Sequence, residues 1–298
     1  MKVTIIKIQG GLGNQMFQYA IGAIIGLIEN ETVLLDTTFF QKTEKIPGFT
    51  PRKFELSIFS NEYTIADETQ INKFNKLSYL NRIKRKIKLN YPKKFIEPTM
   101  HFYQKVFSLK TPLYLDGYFQ SYKYFFGYED FIKDQFNFPI KKIGIKNEKL
   151  LEDIMAKNSV SVHVRRGDYV LDKNTQEFHG VCSVNYYLDA IKLIASKMDD
   201  LLLVFFSDDT EWAIEEFKNL PYSLIFIDHN KGENSWKDMF LMSNCKHNII
   251  ANSSFSWWAA YLNQNQNKMV IAHKQWFADP TKNSETSDLI PESWIRLD

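Results

Sequence analysis

The feature that most limits what this chain can fold into is the alternation, from Ser159 onward, of short apolar runs with segments of helical length. Strands are expected at Ser159–Val164, Leu201–Phe206, Ser223–Ile227, Asn248–Ala251 and Met269–Ala272. Helices are expected between them at Val184–Met198, Thr210–Lys218, Glu233–Asn244 and Phe255–Asn263. The strands read as continuous hydrophobic runs, which is the pattern of a parallel sheet covered on both faces. The amino-terminal end opens the same way: a β-branched segment Lys2–Ile8, a glycine-rich turn, an apolar helix Asn14–Glu29 and a second strand Thr32–Leu35. The expectation is therefore α/β, with two Rossmann-like domains, 1–150 and 151–298, divided in the polar stretch Lys141–Lys149. Between residues 40 and 110 only one helix, Asp67–Leu89, stands out.

Composition removes several function classes. With 37 basic and 35 acidic residues the net charge is +2, so no global field points to nucleic acid, and any electrostatic site has to be local. Two cysteines, Cys182 and Cys245, make no disulfide framework and fit a reducing compartment. The start MKVTIIKIQGG is a strand followed by glycines, and the longest nearly apolar run, Ala20–Ile28, is too short to span a bilayer, so a cytoplasmic protein is expected.

Four motifs carry chemistry, and each also has a plain structural reading. GGLGNQMFQYA, Gly10–Ala20, brings backbone close to a ligand or simply turns a strand into a helix; it is neither a dinucleotide fingerprint nor a phosphate loop ending in Gly-Lys-Ser/Thr. HVRRGDY, His163–Tyr169, puts two arginines at the end of a buried strand, where each has to meet water, a carboxylate or an anion. The guanidinium fork suits a diphosphate; Arg165 is assigned to ligand and Arg166 to a carboxylate such as Asp168, because strand alternation separates the two. LLLVFFSDD ends in Asp208 and Asp209, of which one is expected to read a nucleobase edge and the other to cap the next helix, a divalent-metal site being the alternative. NSSFSWWAAYL, Asn252–Leu262, opens a helix whose free N–H groups make a phosphate site, with Trp257 and Trp258 in the core. All four lie at carboxyl ends of strands, the edge where open α/β sheets bind ligands, and together they suit a nucleoside diphosphate.

At these stretches, with KDMFLMSNCKHNIIAN leading into the last, the sequence closely resembles the galactoside α-1,2-fucosyltransferases of glycosyltransferase family 11 over its whole length. The resemblance implies a GT-B fold of two Rossmann-like domains facing a central cleft, the first on the acceptor side and the second binding the GDP-sugar. It implies GDP-β-L-fucose as donor, inversion at the anomeric carbon, no obligatory metal or other cofactor, and a galactose-terminated oligosaccharide or lipid-linked acceptor. Arg165 would neutralise the diphosphate, His163 and an Asp of FFSDD (Asp208, Asp209) would lie near guanine, and Ser253, Ser254 and Phe255, after Asn252, would line phosphates and nucleoside. Gly11 and Asn14 of the glycine loop complete the expected donor set. Animal enzymes of this kind carry a membrane anchor, and none is visible here.

Inverting transfer also needs a proton acceptor, for which Asp168 is the first candidate and Glu177 or His179 of QEFHG the next; a dissociative path lessens the need for a strong base. Two rival classes remain on sequence grounds. The basic stretch Asn81–Lys94 can form an amphipathic helix that meets a membrane surface or nucleic acid, although such runs are more often solvated faces. A glycoside hydrolase would need two carboxylates across a cleft and leaves the arginine and glycine motifs without a role.

Overall fold

The computed structural model describes residues 3–43, 52–75, 79–86, 91–167 and 180–298. It divides into two compact units, Met1–Phe138 and Pro139–Asp298.

In the first unit β1 (Thr4–Lys7) leads through α1 (Leu12–Glu29) to β2 (Val33–Asp36), followed by α2 (Thr38–Thr43), β3 (Thr64–Ile65), α3 (Glu68–Asn75), α4 (Tyr79–Lys86), β4 (Lys93–Ile96), β5 (Leu113–Asp116) and α5 (Glu129–Gln135). The sheet runs β3-β2-β1-β5-β4, all parallel. Helix α1 is buried along most of its length, Gln15 and Gln18 included, because it packs directly on the sheet. Of the helix expected at 67–89, Glu68–Asn75 (α3) and Tyr79–Lys86 (α4) are helical, and residues 76–78 and 87–90 lie outside the described residues. A capping box sets the start of α3: the Asp67 N–H donates to Gln70 Oε1 and the Gln70 N–H to Asp67 Oδ1, both at 2.8 Å. Strands β4 and β5 were not expected. The first, KKFI, is an edge strand with half-exposed residues, and the second holds only three consecutive apolar residues, so neither makes a continuous run.

The second unit begins earlier than expected. The polar stretch 141–149 is not a linker: it forms the entry to α6 (Ile145–Ala156), and the Asn147 carboxamide there donates to Asn230 Oδ1 at 2.9 Å. The division lies between Phe138 and Pro139 rather than near residue 150, since the polar side chains are consumed inside the unit. Then follow β6 (Asn158–Val164), α7 (Val184–Ala195), β7 (Leu201–Ser207), α8 (Thr210–Phe217), β8 (Ser223–Ile227), α9 (Trp236–Asn244), β9 (His247–Ile250), α10 (Ser254–Leu262), β10 (Val270–His273), α11 (Pro280–Ser284) and β11 (Ile295–Leu297). The order β11-β10-β9-β6-β7-β8 is wholly parallel. The chain starts at the centre, builds outward to β8, then crosses to β9 on the other side of β6. Strand order therefore reverses between β6 and β9, and the crevice at their carboxyl ends is where such sheets bind ligands.

Strand β6 alternates after all. Val160, Val162 and Val164 join the core formed with Tyr186, Ile191, Phe205 and Phe217, whereas Ser159, Ser161 and His163 are buried on the other face. On that polar face Ser161 is satisfied by asparagines: Asn248 Nδ2 donates to Ser161 Oγ at 2.7 Å, and Asn263 Nδ2 to Asn248 Oδ1 at 2.8 Å. Cys182 and Cys245 are both free and buried. Among the described residues no helix is long and apolar enough to cross a membrane.

Candidate active site

The pairing of β6 with β7 puts Val164 beside Ser207, so the residues that follow each strand arrive next to each other. Arg165 Nη1 lies 2.7 Å from Asp208 Oδ2, and the other oxygen of the same carboxylate accepts the Arg166 N–H at 2.9 Å. Asp208 thus fixes both the backbone of the arginine loop and the direction of one guanidinium. A Cβ at Gly167 would stand 2.8 Å from Asp208 Oδ2, so any larger residue there would push the carboxylate out of this position. Arg166 turns elsewhere. Its guanidinium stacks 3.9 Å above the Trp212 ring, and its Nε is 3.4 Å from Asp209 Oδ2. Asp209 caps α8 by accepting the Trp212 N–H at 3.3 Å.

The two arginines do separate, for a reason other than strand alternation: β6 stops at Val164, and each arginine is drawn to a different carboxylate of the β7 loop. Of the acidic pair, Asp209 is the helix cap and Asp208 is the partner of Arg165. Trp212, which holds Arg166, was not anticipated, because nothing in the sequence marks a tryptophan three residues past a cap as a stacking partner.

His163 is the penultimate residue of β6 and is 7% exposed. Its Nδ1 has no hydrogen-bond partner among the described residues, and its ring centre lies 5.9 Å from that of half-buried Phe255. Burial pushes its pKa down to about 4; the Asp208 carboxylate pulls it back and the Arg165 charge pushes it further down. The imidazole is neutral at pH 7 and stands at the bottom of the β6 loop with an uncommitted nitrogen.

On the other side of the strand reversal, Ser253 caps α10, its Oγ accepting the Phe255 N–H at 3.3 Å, and Ser254 begins the helix. Asn252 is buried, and its carboxamide is engaged by the protein: Nδ2 donates to Gly180 O at 3.3 Å and Trp276 O at 3.2 Å, and Oδ1 accepts from Cys182 Sγ at 3.6 Å. Asn252 thus staples the loop through both ends of its amide. Trp257 and Trp258 are fully buried, as expected.

Gly11 and Asn14 belong to the first unit, at the carboxyl end of β1. Gly10 has φ +78°, and a Cβ there would lie 2.6 Å from Asn14 Nδ2. Gly11 is the N-cap of α1 and offers no side chain to its first N–H groups. Gln15 closes the loop from below, Nε2 donating to Gly10 O at 2.9 Å and Oε1 accepting the Glu55 N–H at 2.8 Å. Asp168, Tyr169, Glu177 and His179 lie outside the described residues.

The sequence matches the model of the family described as Glycosyl transferase family 11 over residues 2–298. It is 36% identical to the Alpha-1,2-colitosyltransferase of Escherichia coli over the full length of both chains. It is 34% identical to the Galactoside alpha-(1,2)-fucosyltransferase 1 of Lagothrix lagotricha over 104 residues, 35% of this chain and 28% of that one. The structure of NodZ alpha-1,6-fucosyltransferase soaked with GDP-fucose superposes with a TM-score of 0.50 at 14% identity, covering 88% of this chain and 92% of that one. At that identity the likeness concerns the fold alone, and it agrees with the GT-B type of α/β fold. Two parallel sheets, an arginine loop at a strand reversal and a family match running from residue 2 to the last residue lead to one conclusion: the chain belongs to glycosyl transferase family 11.

Proposed function

We propose that the protein transfers L-fucose from GDP-β-L-fucose to the 2-hydroxyl of a terminal galactoside, with inversion at the anomeric carbon and without an obligatory metal. The observation that carries this reading is the Arg165–Asp208 pair at the reversal between β6 and β9, beside neutral His163 and the N-terminus of α10. Support for the donor and the linkage comes from the relatives, which bear the names of α-1,2-colitosyl and α-(1,2)-fucosyl transferases.

In this mechanism Arg165, oriented by Asp208, takes the charge that develops on the departing diphosphate, and the N–H groups opening α10 add a positive dipole end. His163, being neutral, contributes a hydrogen bond without adding a second full charge next to Arg165. Asp168 receives the proton of the acceptor hydroxyl as that oxygen attacks the anomeric carbon from the side opposite GDP. Arg165 supplies the cationic stabilisation for which other enzymes use a divalent ion, and Asp208 and Asp209 each face an arginine. The basic stretch 81–94 gives an electrostatic means of peripheral contact with an anionic membrane.

A second reading, transfer of a colitosyl group, is favoured by the end-to-end identity of 36% with the colitosyltransferase. Transfer assays with GDP-fucose and GDP-colitose on a galactoside, with and without EDTA, separate the readings. GDP should raise the melting temperature, as a ligand that binds only the folded state does. An α-linked fucoside formed equally well in EDTA supports the proposal; a β-linked product, strict metal dependence or exclusive use of the colitosyl donor overturns it.

A further inference from the structure

Strand order reverses in the first unit as well. From β1 the chain builds outward through β2 to β3, then crosses to the far side of β1, where β4 takes the edge and β5 fills the place between. The carboxyl ends of β1 and β5 therefore flank a crevice of the kind in which open parallel sheets hold ligands. Ile6 pairs with Leu115, so the next residues, Lys7 and Asp116, leave the sheet side by side. Below them Ile5 and Tyr114 belong to an apolar core with Leu34 and Phe74, and charge replaces apolar packing only at this last row. Lys7 Nζ lies 3.0 Å from Asp116 Oδ1, and Lys94 of β4 stands 3.3 Å from Oδ2 with its ammonium 5.0 Å from the centre of the Tyr114 ring. Each oxygen of one carboxylate thus faces its own ammonium, and the three side chains are between 16% and 31% exposed. Across β1, Asp36 is buried and accepts the Thr38 N–H at 2.9 Å and the Tyr114 hydroxyl at 2.6 Å. A half-buried ion pair holds a sheet no better than apolar side chains of the same volume, so a lysine on the central strand calls for another use.

Tyr118 follows two residues after Asp116. Its N–H and that of Phe119 donate to the same oxygen of Glu97, just past β4, at 2.7 and 3.0 Å, and fully buried Phe119 has φ +53°, so the loop is pinned. Tyr118 itself remains 41% exposed, and its phenol is pushed above its ordinary pKa by partial burial and by the neighbouring Asp116 charge.

We propose that the β1–β5 crevice of the first unit is a sugar subsite: Lys7 and Lys94 donate to hydroxyl oxygens, Asp116 accepts from a hydroxyl hydrogen, and the Tyr118 ring covers an apolar C–H face of the pyranose. Two ammoniums against the carboxylates of Asp36 and Asp116 leave no net charge to draw a phosphate. Neighbouring hydroxyls each donate and accept, which adjoining ammonium and carboxylate groups match. A ring with an apolar body and a polar tip suits a ligand that is apolar on one face and hydroxylated at its rim. The inference deepens the galactoside reading above and rests on it for the identity of the sugar.

The test uses the full chain and two measurements. Lys7→Met and Lys94→Met keep the aliphatic stems and remove one ammonium each, Asp116→Asn keeps the shape without the charge, and Tyr118→Ala removes the ring. Each should raise KM for lactose about tenfold or more while KM for GDP-fucose stays within about twofold. Melting temperature should stay within a few degrees, since partly exposed ion pairs contribute little to folding. If Asp116→Asn does not fold, the two methionine variants decide. Folded variants whose KM for lactose is unchanged, or in which both KM values rise together, overturn the proposal and leave these ion pairs a structural role. Saturation-transfer NMR with methyl β-galactoside and no nucleotide reads the subsite without turnover: the parent should give signals that Lys7→Met and Tyr118→Ala lose. If the parent transfers neither sugar, the proposed function fails and this second measurement alone decides. No signal from the parent at millimolar sugar, or equal signals from the variants, overturns the subsite.

Discussion

The two arginines of HVRRG differ by one position and should differ completely in what their removal does. Arg165 Nη1 lies 2.7 Å from Asp208 Oδ2 with both side chains about a quarter exposed, so an anion can approach the guanidinium from solvent. In Arg165→Lys a cation remains, but a point charge satisfies either Asp208 or the diphosphate with good geometry, not both. Losing one charge-assisted contact in the transition state costs about 1.5–3 kcal/mol, a fall of roughly ten- to a hundredfold in kcat/KM. Melting temperature should barely change, since a partly exposed ion pair contributes little to folding. Arg166→Ala is the converse. It removes a guanidinium stacked 3.9 Å over Trp212 and a 3.4 Å contact to the cap of α8, together on the order of 1–2 kcal/mol of stability, or a few degrees in melting temperature. Turnover per folded molecule should remain within severalfold of the parent. Calorimetry and steady-state kinetics on the same two preparations give both numbers. An Arg166→Ala protein that melts normally but is inactive, next to an Arg165→Lys protein that works normally, would refute the assignment of the two side chains.

Three further outcomes follow from the same structure. His163, with its pKa pushed from 6.5 to about 4, binds its proton more readily unfolded than folded, so its contribution to stability is present above pH 6.5 and lost as pH falls toward 4. At about 1.4 kcal/mol per pH unit that is roughly 3 kcal/mol, and urea titrations from pH 7 to 4 should show a shallower decline in His163→Leu than in the parent. Asp238 runs in the opposite direction: burial pushes it up to about 7, against a pull downward from the Asn230 amide, so its contribution is present below about pH 4 and lost as pH rises through 7. Asp238→Asn keeps an oxygen for the 2.8 Å bond from Asn230 Nδ2 and should be more stable than the parent at pH 8 by a few kcal/mol, a gain that vanishes near pH 4; equal stability at pH 8 would refute it. Asp168→Asn should retain GDP affinity in a thermal-shift titration while turnover drops on the order of a hundredfold, and normal turnover removes it as the base.

The sequence by itself determined the class of this fold and the edge at which its chemistry gathers. Parallel strands buried on both faces need uninterrupted Val, Ile, Leu and Phe, and that requirement is local, so Leu201–Phe206 and Asn248–Ala251 could be recognised without knowing their neighbours. The polar motifs could be placed because each directly follows such a run, and the helix caps Asp209 and Ser253 fell where a cap must fall. Everything that depends on two distant segments meeting was left to the tertiary structure. The insertion of β5 between β1 and β4 rests on pairing across more than a hundred residues, which a strand of four residues does not announce. The choice of Asp208 for Arg165 and of Asp209 with Trp212 for Arg166 was set by the register of β6 against β7, and in sequence the four charges are interchangeable. The use of the Asn252 amide by Gly180, Cys182 and Trp276 is not written in the sequence, and Gln120 gave no sign of itself until the β5 loop brought it 2.7 Å from Asn14. Hydrophobic period is written along the chain; hydrogen-bond partnership and the ionisation of a buried histidine depend on what the fold brings alongside.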